Sequence, residues 1–78
     1  MNPYYRQEVV AKLNLAFAEV YHEIASNPYG KIEPDTVRMV ATWGAGLLHE
    51  WGINRDIHHV LVNEAMTKAG FLPIPEEA

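Results

Sequence analysis

Glu19 and His22 are the residues best suited to chemistry, because Glu19-Val20-Tyr21-His22 sets a carboxylate and an imidazole three positions apart, on one face of a helix. Carboxylate-bridged dimetal bundles hold their ions with two such pairs and two further glutamates. This chain carries the pair once, so a complete site would need a second copy of the chain. That defines an alternative reading, a dimeric metal-binding helical bundle with Glu19 and His22 as ligands. The leading reading assigns no metal and no cofactor and leaves both side chains on a solvated face.

The remaining chemistry-bearing residues are harder to combine. His58 and His59 are adjacent, so on a helix they diverge by about 100° and do not chelate one ion easily. His58 falls on an apolar stripe and is expected to be buried, hydrogen-bonded to a tyrosine hydroxyl or a backbone carbonyl. A nucleophilic triad lacks candidates: there is no cysteine, and the single serine, Ser26, stands at a helix end outside any Gly-x-Ser-x-Gly turn. Glu19 and Glu23 are one turn apart, but their sequence surroundings do not suggest the apolar pocket that acid catalysis requires. The sequence has no glycine-rich phosphate loop. A non-enzymatic protein is the expectation.

Three helices must position these groups. Asn2-Pro3 offers a cap and a first-turn proline, and the helix it starts is expected to run over 3–26, until Asn27-Pro28-Tyr29-Gly30 stops it. Glu33-Pro34-Asp35-Thr36 opens a second helix, 34–51, with Gly52 as its left-handed terminator. Asn54 starts a third, 54–69, with Ile53 stapling its entry and Gly70 ending it. The tail, 71–78, holds Phe71-Leu72-Pro73-Ile74-Pro75 and cannot continue a helix; it is expected to lay its apolar side chains on the bundle.

Apolar residues at three-to-four spacing mark the inward faces: Val9, Leu13, Phe17, Val20 and Ile24, with Tyr5 and Ala16 beside them; Val37, Val40, Ala41, Gly44, Leu47, Leu48 and Trp51; Ile57, Leu61, Val62, Ala65 and Ala69. The fold expected is therefore all-α, a compact three-helix bundle with a short extended C-terminal tail, one domain spanning 1–78. At 78 residues and without cysteine it has a single core and no disulfide to supplement it.

Two patterns are left over. The first helix carries a second cluster, Tyr4, Ala11, Leu15, Ala18 and His22, away from its core stripe. Small residues at Ala11 and Ala18 would let another helix approach closely, as in a homodimer or a bound target. On the second helix, Gly46 is expected to point with Met39, Trp43 and Glu50 to a flank outside the core. Met and Trp around a small residue suit a binding groove, unless the tail from Phe71 to Ile74 covers it.

Composition narrows the partners. Six basic residues are scattered singly against ten acidic ones, for a formal charge of −4, which disfavours nucleic acid. The turn Gly52-Ile53-Asn54 could join a helix-turn-helix, yet Asn54 to His59 supplies only Arg55 as a basic group beside Asp56. No apolar run reaches the roughly 18 residues of a membrane span, and the start, MNPYYRQEVV, lacks a basic region followed by a long apolar run, so the expected location is the cytoplasm. The leading expectation is a protein–protein interaction module, a small homodimeric adaptor or regulator binding through Leu15, Ala18, His22, Met39, Trp43 and Glu50. A sharper version makes it an acidic antagonist docking on a basic surface of a larger enzyme or nucleoprotein complex.

Overall fold

A computed structural model describes the backbone of residues 3–72 and the side chains of residues 5–72. The order of elements is α1 (Pro3–Ser26), α2 (Pro34–Glu50), a 3-10 turn (Arg55–Ile57) and α3 (His58–Ala69). Among the described residues there is no strand. The bundle is elongated, 40 × 21 × 18 Å, because the 24 residues of α1 extend past the shorter α2 and α3.

Local chemistry sets each boundary. After α1, the Asn27 side chain accepts a hydrogen bond from the Tyr29 amide at 2.9 Å and turns the chain. Pro34 occupies the first turn of α2, where its missing N–H costs nothing, and Asp35 follows where negative charge is favoured. The two later helices end alike. Gly52 and Gly70 take positive φ (76° and 104°), and the residue after each donates its amide five residues back, Ile53 to Leu48 O and Phe71 to Met66 O, both at 3.0 Å. In both cases this lock drives an apolar residue into the core, since Ile53 and Phe71 are buried with Leu48 and Met66.

The third helix begins later than its cap. Asn54 accepts from the Asp56 amide at 3.1 Å, but the first turn after it is the tighter 3-10 form, and regular α-helix starts only at His58. The cause is His58 itself: its ring is buried and its Nε2 lies 2.8 Å from Ile53 O, which requires the chain to fold back tightly between the two. A carbonyl only accepts, so Nε2 carries the hydrogen. The expected carbonyl partner is thus identified as Ile53. α2 likewise stops one residue short of expectation, at Glu50, with Trp51 as its cap.

The core joins Val9, Val10, Leu13 and Phe17 of α1, Val40 and Leu48 of α2, Leu61, Val62, Ala65 and Met66 of α3, and Ile53 and Phe71 from the connections. Val10 and Met66 lie outside the inward faces expected from periodicity, while Tyr5 is 45% exposed. Both differences have one reason. α3 packs against both other helices and α1 packs chiefly against α3, so the buried arc of α3 is wider and that of α1 is rotated toward Val10 and away from Tyr5. An ion pair at the rim, Arg6 to Glu64 at 3.2 Å, also joins α1 to α3.

α1 and α2 meet more narrowly, at Phe17 and Gly44. A Cβ on Gly44 would stand 2.7 Å from Phe17 Cε1 and closer still to the ring tip, so the phenyl ring occupies the space a side chain would take. Phe17 is also the hub of an aromatic cluster, with Trp43 at 6.0 Å on one side, and Phe71 at 6.3 Å with Tyr21 beyond it on the other. The Tyr4 side chain, expected in the second apolar cluster, and Pro73, Ile74 and Pro75, expected to cover the bundle, lie outside what the structure describes.

Candidate functional site

Because α1 contributes its inward stripe to α3 and the Phe17 cluster, its opposite face meets no other element among the described residues. Leu15 is 69% exposed there. Ala18 and His22 are exposed beside it. On α2, Trp43 rests one side of its ring against Phe17 and leaves 43% of its surface in solvent.

These two features are one surface. Leu15, Ala18 and His22 border the same shallow concavity of about 610 Å³ as Trp43, together with Ala16 and Val20 at its base. Ala16, Ala18 and Val20 are small enough to leave a depression between the larger Leu15, His22 and Trp43. The lining is mainly apolar, with Glu19 and Glu23 bringing negative charge to it. Spacing places Ala16 and Val20 with the inward stripe; they stand at the edge of the buried arc, and a periodic pattern carries no mark that separates an edge from a centre.

Met39 and Glu50 do not border that concavity. Met39 is 73% exposed one helical turn before Trp43, and Glu50 is exposed at the far end of α2. Gly46 also departs from the expected flank: it opens on a separate hollow with Ala45, His49, Ile53, Arg55 and His58, and open space surrounds the position of its missing Cβ. Trp43 and Gly46 thus line different surfaces of α2. Phe71 does not reach the Met39 flank, since its ring is packed inside the bundle against Phe17 and Tyr21.

The groups with chemical potential are dispersed. Glu19 and His22 share the concavity, as their spacing implies, yet among the described residues no three His, Asp or Glu side chains converge as a metal site would need. His58 is at the opposite end of the bundle, bonded to Ile53, and Ser26 ends α1. Of the residues a recognition helix would present, Ile57 is half-buried and His58 buried, leaving Asn54, Arg55, Asp56 and His59 on the surface. No helix among the described residues is long and apolar enough to cross a membrane.

Compared with family models, with curated proteins and with solved structures, the chain matches none.

Proposed function

We propose that this chain is a non-enzymatic protein-interaction module that acts as a small homodimeric adaptor or regulator, using the concave surface between α1 and Trp43. The observation carrying this reading is the merger of two exposed apolar features, Leu15 with Ala18 on α1 and Trp43 on α2, into one depression rimmed by charged residues. Interaction hot spots have this composition: an aromatic anchor beside small and aliphatic residues, with polar groups around them. Trp43 is held in place by Phe17, so binding would cost it little side-chain entropy.

The test is solution mass by light scattering over a wide concentration range, for the wild type and for Leu15→Glu and Trp43→Glu. Association that grows with concentration is expected for the wild type. A charged group at a hot spot is expected to cost at least about 2 kcal/mol of that association in either variant. Leu15 is exposed, so helix content of its variant should stay close to wild type; Trp43 also packs on Phe17, and circular dichroism of Trp43→Glu separates a loss of association from a loss of fold. Unchanged association in both variants would sink the reading.

A further inference from the structure

Building on the self-association proposed above, we infer that the partner on the outer face of α1 is a second copy of the chain lying antiparallel to it, with Leu15 on the two-fold axis and Glu8 of each copy paired with His22 of the other. The outer stripe of α1 is Glu8, Leu15 and His22, each seven residues from the next and all exposed. Seven residues nearly close two helical turns, so the three side chains drift by only about 20° per step and form a line. Glu8 and His22 each stand about 10.5 Å along the axis from Leu15, in opposite directions.

Charge decides the orientation. A two-fold axis through Leu15 perpendicular to α1 brings residue 8 of one copy opposite residue 22 of the other. A carboxylate then meets an imidazole, whose N–H donates to it whether or not the ring carries a second proton. A parallel pair would set Glu8 against Glu8 and His22 against His22. The two basic residues of α1 are already engaged: Arg6 holds Glu64 at 3.2 Å, and Lys12 lies 4.3 Å above the Trp51 ring. Glu8 and His22 make no ion pair among the described residues.

Geometry narrows the arrangement further. At a crossing angle of about 20° the two helices separate sideways by only about 4 Å at a point 10.5 Å from the axis, whereas at about 50° they separate by about 9 Å, which only fully extended Glu and His side chains would bridge. The shallow crossing is therefore the one the charges favour. Ala18, next to Leu15 in the concavity, lets the backbones approach, and Trp43 stands at the rim. An interface of one helix face belongs to the weak, concentration-dependent class.

The experiment measures dimer dissociation constants by sedimentation for the wild type, Glu8→Lys, His22→Glu, and the double variant, with Leu15→Glu as a control. His22→Glu sets two carboxylates opposite each other twice per dimer, and Glu8→Lys removes the carboxylate that accepts from the imidazole N–H; each is expected to weaken association about tenfold. The double variant restores opposite charges and should return to within about threefold of wild type. Net charge predicts the reverse for Glu8→Lys, which takes the chain from −4 to −2 and relaxes general repulsion between two acidic copies, so weakening there reports the local pairing. If the wild type dimerises and Leu15→Glu abolishes it, but the single reversals are silent or the double variant is the weakest, the antiparallel pairing is wrong while the interaction reading stands. A wild type that remains monomeric at millimolar concentration overturns both. A basic foreign helix that binds this face while the chain alone stays monomeric would replace the second copy as occupant and likewise overturn the inference.

Discussion

Gly44 and Gly46 stand two residues apart in α2, and helix propensity treats them alike: each should gain about 1 kcal/mol on replacement by alanine. Their surroundings separate them. A methyl at Gly46 meets open space, whereas one at Gly44 meets the Phe17 ring. Gly46→Ala is therefore expected to stabilise the fold by about 0.5–1 kcal/mol, and Gly44→Ala to destabilise it by about 1–2 kcal/mol, since overpacking outweighs propensity. Urea unfolding of both variants checks the signs. In a Phe17→Leu background the penalty at Gly44 should disappear, and a penalty that persists would mean that the ring is not its cause. Apolar spacing already puts Gly44 on the inward face of α2 and Gly46 outside it; that the group filling the gap at Gly44 is the Phe17 ring of α1 depended on how the two helices pack.

At the scale of elements, the two later helices end in the same glycine lock, and each lock delivers an apolar residue to the core. Phe71 shows how much rests on this. It is one residue beyond Gly70, fully buried, and packed edge-on against Tyr21 and Phe17. Phe71→Ala should cost about 3–5 kcal/mol, a large share of the roughly 5–15 kcal/mol available to a small domain. Thermal unfolding of this variant should show a loss of ten degrees or more, at about 4–8 °C per kcal/mol. A variant that melts within a few degrees of wild type would mean that the connection after α3 contributes little. The glycine stops and the apolar tail were legible as local signals. The 3-10 turn before α3 was not, because it follows from the bond between His58 and Ile53, a contact fixed by the whole corner.

For the whole molecule, the question is whether association is driven by apolar burial or by charge. Two acidic copies repel each other, and this repulsion and the Glu8–His22 pairs are both screened by salt, with opposite effects on affinity. Self-association is thus expected to change by no more than about threefold between 0.05 and 0.5 M salt. Docking on a strongly basic partner, as for an acidic antagonist, would instead weaken steeply over that range. Light scattering at the two salt concentrations separates the cases, and a steep fall in the mass of the protein alone would count against an apolar interface.

The amino-acid sequence by itself determined three helices, their stops and most of their inward residues, because capping, glycine termination and apolar spacing act within a few residues along the chain. It also marked Leu15, Ala18, His22 and Trp43 as surplus to the core, since the angle of a residue around its own helix is a local property. Only the tertiary structure decided that these four border one concavity, that Met39, Glu50 and Gly46 stand apart from it, and that Phe17 fills the space left by Gly44. Those relations depend on how α1, α2 and α3 pack against one another, and no spacing within a single helix records the distance to its neighbour.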